Sequence, residues 1–232
     1  MRRRLIVAFM VFLLAPTLAV AQDSRPGIAV MPFADGGSFG QDKEDFEALT
    51  IGVQQMLITE LAVNTQLRVV DRSRIRQIME EQDLGASGRV DEQTAARIGK
   101  IVGAKYMVLG GFVDFYGEMR FDARIVNVET SELEKAHYVR GDREDMFSLV
   151  VDLANGITKE LSLPTLQRQV LQEREQRAEE IPHEAVRMYT KALLAQDRGD
   201  TERAIELFSQ ITTDFPAYTE ASEALKQLRA GE

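Results

Sequence analysis

The chain has 232 residues, 44% of them hydrophobic, with 28 basic and 37 acidic side chains, two histidines and no cysteine. That composition is of a globular protein large enough for one substantial domain and a small appendage. The formal charge of −9 disfavours nucleic acid and anionic lipid as partners, and without cysteine there is no disulfide framework and no thiol nucleophile.

Residues 1–21 begin with Arg2, Arg3 and Arg4, continue through an apolar run from Leu5 to Leu14, and end on Ala19-Val20-Ala21 before Gln22. This is the pattern of a secretory signal peptide cleaved after Ala21. The apolar run is shorter than the ~20 residues a spanning helix needs, so no direct membrane span is expected. Cleavage removes three arginines and no acid, which takes the charge to −12. The expected location is the periplasm, with an association with the outer membrane left open. No cysteine is present to carry a lipid.

Residues 28–33 (IAVMPF) predict a first strand, and residues 34–40 (ADGGSFG) a flexible surface loop. That loop lacks the Lys and Ser/Thr of a phosphate cradle. Asp35, Gly36 and Phe39 in it are candidate partner contacts, because loops carry function more often than scaffolds do. Residues 42–63 predict a long helix with Phe46, Leu49, Val53, Met56, Leu57 and Leu61 on one stripe. Gly52 within it costs about 1 kcal/mol relative to Ala, so a close approach of helix to sheet is expected there.

Residues 67–111 are the densest stretch. A short strand at 67–70 stops at Asp71-Arg72-Ser73, which offers a helix cap, and Ile75, Ile78 and Met79 predict an amphipathic helix to about Gln82. Residues 84–88 break it. Asp91 offers a second cap, Ala95, Ile98, Ile101 and Val102 a second stripe, and Gly103 a stop. Residues 106–115 then read as a strand buried on both faces for most of its length. Ser87, Gly88 and Arg89 form a second candidate contact loop.

The string VVDRS…EEQDLGASGRVDEQTAARIGKIVGAKYMVLG, together with IAVMPF, resembles the signature of the curli-secretion channel (CsgG-like) family and of the related TolB amino-terminal-like domains. The resemblance covers about residues 27–161. It implies an α/β fold and a role in assembly or transport in a bacterial envelope: secretion, curli assembly or outer-membrane biogenesis. It implies protein–protein interaction and no catalysis.

Two tight hairpins are expected around residues 116–118 and 129–132, followed by a closing helix at 142–161. The order is β-α-β-α-α-β-β-β-α, a mixed β-sheet covered by helices. The channel's pore is made by additional strands of about 9–11 residues with a lipid-facing apolar row. Here Arg120, Asp122 and Arg124 alternate along 119–128, so a relative without a pore is expected.

Residues 164–181 are polar almost all round and predict a solvated linker helix. Residues 182–229 form a small all-α unit, a helical hairpin plus a covering helix. Ala192, Gly199, Ala204, Phe208 and Pro216 fall where a tetratricopeptide repeat places its small, turn, aromatic and proline residues, so this unit resembles one such repeat. One repeat does not stand alone, so it should dock on the first domain, a copy of itself or a partner. A plain capping hairpin is the alternative. Arg187, Tyr189, Lys191 and Gln196 are its candidate groove residues.

No nucleophile, metal or cofactor constellation is present. His137 and His183 stand apart, and His183-Glu184 does not continue into a zinc-peptidase motif. The expected function is a non-catalytic periplasmic adaptor or assembly protein with a protein partner in the cell envelope, with homo-oligomerisation as an option. Alternatives are a modulator of an envelope (cell-wall) enzyme and an outer-membrane-associated channel subunit.

Overall fold

The computed structural model describes residues 23–40, 42–84 and 90–230. Its elements are β1 (Gly27–Val30), β2 (Ala34–Asp35), α1 (Lys43–Ala62), β3 (Arg68–Val69), α2 (Arg72–Glu81), α3 (Glu92–Val102), β4 (Tyr106–Phe115), β5 (Glu118–Asn127) and β6 (Glu132–Asp142). A one-turn 3-10 helix, Arg143–Asp145, leads into α4 (Met146–Glu160), and α5 (Arg168–Glu179), α6 (His183–Asp197), α7 (Thr201–Asp214) and α8 (Thr219–Ala230) follow. The expected α/β order is present, with one strand more. The predicted signal peptide lies outside the described residues, and among the described residues no helix is long and apolar enough to cross a membrane.

The sheet runs β3-β1-β4-β5-β6, parallel across the first three strands and antiparallel across the last three. α1 and α4 cover one face. α2 and α3 cover the other face only over β3, β1, β4 and the adjoining ends of β5 and β6, with Ile75, Ile78 and Ile98 packed on Met31, Met107 and Leu109. The helix starts are set as the side chains dictate. Asp71 Oδ1 accepts from Ser73 N at 2.7 Å, Asp91 Oδ1 from Thr94 N at 2.6 Å, and Gly103 ends α3 at φ 67°.

Three expectations are corrected. Residues 34–40 are not a loose loop, because Ala34 and Asp35 pair in parallel with Gly111 and Phe112 as the extra strand β2. The close approach at Gly52 is to another helix rather than to the sheet: a Cβ added there would lie 2.0 Å from Thr190 Cγ2 on α6. And α5 is not solvated all round. Arg174 is 7% exposed and binds Glu60 of α1, Nη2 to Oε2 at 2.6 Å, and Asn155 of α4 at 2.8 Å.

The common cause is that α1 lies in the middle of the molecule. The sheet takes one side of it, and α6 takes the side that a single-stripe reading leaves to solvent, so Ala48, Ile51 and Ile58 are buried as well as the predicted stripe. One continuous apolar cluster runs from Ile28 through α1 and α4 to Tyr189, Phe208 and Leu225. Each large apolar side chain buried in it contributes about 1.5–3 kcal/mol. Asp197, at the end of α6, accepts from both Arg72 (2.6 Å) and Arg76 (2.7 Å) of α2, which ties the helical unit to the opposite side of the α/β body.

Candidate functional site

The C-terminal end of β4 carries a built feature that the fold itself does not require. The β4–β5 turn is Tyr116-Gly117, with φ 55° and 102°. Positive φ at both central residues is the hairpin geometry that favours Asn-Gly. A tyrosine there bears steric strain that asparagine or glycine would not, and it is 74% exposed.

The 34–39 segment is fastened alongside. Asp35 Oδ1 accepts from Gly37 N (3.1 Å), Ser38 N (2.9 Å) and Ser38 Oγ (2.6 Å), and Ser38 Oγ accepts from Asp114 N at 3.0 Å. Gly36 N donates to Phe112 O at 2.8 Å, and a Cβ there would meet Val113 Cγ2 at 2.7 Å, so only glycine lets the segment lie this close. Phe39 N donates to Asp114 O, and Tyr116 N to Phe39 O.

Beneath this, Asp114 is fully buried and receives Arg143 Nε at 2.5 Å, Arg143 Nη2 at 2.7 Å and Gly117 N at 2.9 Å. A bidentate pair of this kind, with Gly117 N as a further donor, fixes geometry more than it adds stability. On this base stand Phe39, Phe115 and Tyr116. Phe39 stacks on Tyr116 at 6.5 Å, and Phe115 meets Tyr116 edge-on at 5.2 Å. Exposed rings held on rigid backbone are anchors for a protein surface, because little entropy remains to be lost on contact.

Of the predicted contact residues, Asp35 and Gly36 shape this tip and Phe39 is part of it. Ser87, Gly88 and Arg89 lie outside the described residues. The α6 set falls elsewhere. Tyr189 is 3% exposed, packed between Phe208 and Tyr218, so only its edge reaches the cleft that Gln196 lines. Lys191 Nζ lies 2.6 Å and Arg187 Nη1 3.9 Å from Asp45 Oδ1 on α1, so the side of the hairpin kept for a partner is filled by the protein itself. Arg187 also holds the Glu184 carboxyl below its usual range by hydrogen bonding. Gln196, half-buried, lines a cleft with Asp71, Arg72 and Ser73.

Phe115 and Tyr116 were not legible as site residues. The available signal was a tyrosine before glycine in a two-residue turn, a place where an aromatic is out of character. Among the described residues, no group of three or more His, Asp or Glu side chains is arranged to hold a metal ion.

Residues 17–120 match the family model described as "Curli production assembly/transport component CsgG". The chain carries a CsgG-like domain. The match runs from before β1 to the start of β5 and takes in the aromatic tip. Among curated proteins, none matches the chain. Solved structures similar to it include the LpoB C-terminal domain from Escherichia coli (15% identity, 51% of this chain and 83% of that chain, TM-score 0.40). TolB from Acinetobacter baumannii is similar at 13% identity over 60% of this chain and 28% of that chain, TM-score 0.38. Lipoprotein GNA1162 from Neisseria meningitidis is similar at 10% identity over 59% of this chain and 98% of that chain, TM-score 0.42.

Proposed function

We propose that the protein is a non-catalytic adaptor of the bacterial envelope, exported by its leader, which uses the CsgG-like domain to hold a protein partner against Phe39, Phe115 and Tyr116. The observation that carries this reading is Tyr116, an aromatic ring kept exposed in a backbone conformation that favours other residues. Strain of this kind persists where the side chain has a use.

The reading includes the absence of a pore. β4 and β5 are joined by two residues only, and the outward row of β5 is Arg120, Asp122 and Arg124, with Arg120 and Asp122 bonded to each other. A lipid-facing strand would carry apolar side chains at those positions. The C-terminal helical unit, in this account, braces α1 and leaves recognition to the tip.

The test is affinity capture from native envelope fractions with the purified chain and with Phe39→Asp/Tyr116→Asp. A protein recovered by the parent and lost with the variant, at equal thermal stability, supports the reading. Equal recovery by both overturns it.

A further inference from the structure

From the register of the antiparallel strands, we infer that two copies of this chain associate face to face through the uncovered half of the sheet. The inference rests on the reading of the tip as a protein-binding surface and names an occupant for the face beside it, which shares Phe115 with the tip and leaves Phe39 and Tyr116 to the envelope partner.

The α2–α3 layer leaves the upper ends of β4, β5 and β6 bare. Three rows of side chains cross that area. The first is Phe115, Glu118, Asp142; the second is Val113, Arg120, Arg140; the third is Gly111, Asp122, Tyr138. Phe115 is 61% and Tyr138 57% exposed. Glu118 stands directly across from Asp142, and Arg120 directly across from Arg140, with Arg120 also bonded to Asp122 of the third row at 2.6 Å and lying over the Tyr138 ring. Like charges opposite one another on neighbouring strands are destabilising, and here two such pairs of opposite sign lie in consecutive rows.

A two-fold axis in the plane of the interface, between the first and second rows, removes both conflicts at once. It sets Glu118 against Arg120 of the second copy, Asp142 against Arg140, and Phe115 against Val113. The same patch serves both copies, as an isologous interface requires. The shapes agree as well. Packed sheets lie about 10 Å apart, close to the height of a helix with its side chains, about 10–12 Å. The α2–α3 ledge of each copy can therefore stand beyond the hairpin tip of the other. With two short rows in mutual contact, and the third facing the turn of the other copy, the contact belongs to the smaller, reversible class of interface.

The test uses sedimentation of the full mature chain across a concentration series up to about 1 mM. The parent is expected to dimerise reversibly, and more weakly in high salt. Arg120→Glu/Arg140→Glu makes the face wholly acidic, and Glu118→Lys/Asp142→Lys makes its first two rows wholly basic. Each alone is expected to lose at least about tenfold in association, while an equimolar mixture of the two forms a heterodimer. A monomeric parent, or variants that dimerise as the parent does, overturns the inference, as does a mixture of folded variants that stays monomeric. Envelope capture that still depends on Phe39 and Tyr116 in that event leaves the adaptor reading standing. Its loss as well overturns both.

Discussion

Arg174 of α5 reaches Glu60 of α1 across 114 residues of chain, with Nε at 2.9 Å and Nη2 at 2.6 Å from the same carboxylate oxygen, and both side chains are buried. The cost of this pair is desolvation, and its consequence is that neither partner tolerates loss of the other. Arg174→Ala should destabilise the protein by up to about 3–5 kcal/mol, because Glu60 is left buried with only Arg177, 3.9 Å from its other oxygen, as a counter-charge. Glu60→Met/Arg174→Met should recover most of that loss. Urea unfolding of the parent and the two variants checks both statements.

Gly52 and Thr190 set how closely α1 and α6 approach. Gly52→Ala gains about 1 kcal/mol of helix propensity, but its methyl would meet Thr190 Cβ at 2.7 Å as well as Cγ2 at 2.0 Å. Overpacking of this kind costs about 1–3 kcal/mol. A net loss of stability is expected, relieved in part by Thr190→Ala, which removes Cγ2 and leaves Cβ. Thermal denaturation of the single and double variants reads it out.

Most of the α/β order is visible in the sequence because it is local. Asp71, Asp91 and Gly103 bound their helices through bonds that span only a few residues. What escaped was long-range. β2 exists only because Ala34 and Asp35 meet Gly111 and Phe112. Arg174 reads as solvated on its own helix and is buried only because Glu60 waits for it. Gly52 announces a close contact but not with what. Tyr189 has the look of a surface residue on a repeat helix, and the rings that enclose it, Phe208 and Tyr218, come from beyond its own helix.

His183 opens α6 half-buried. Burial lowers its pKa below the usual 6.5, with Arg143 and Arg187 acting in the same sense and Glu144 and Glu184 against it. The unfolded chain therefore takes up the proton first. The contribution to stability is complete above about pH 6.5 and is lost as the pH falls through the lower folded value. Denaturant midpoints measured from pH 7.5 to 5 should fall for the parent and fall less for His183→Gln.

Tyr116→Asn should separate stability from recognition. Asparagine suits the left-handed turn position beside Gly117, so the variant is expected to be as stable as the parent or up to about 1 kcal/mol more stable. Capture of the envelope partner should nevertheless fall, because the most exposed of the three rings is gone. Thermal melts and capture assays on the same preparation check the two halves.

The central claim is that a protein is held at the aromatic tip. Site-specific photo-cross-linking in intact cells, from a photoreactive residue at position 116 and at the distant exposed position Lys226, tests it most directly. The account predicts a discrete protein adduct from position 116 and none from position 226. Adducts to lipid alone at position 116, or the same adduct from both positions, would contradict it.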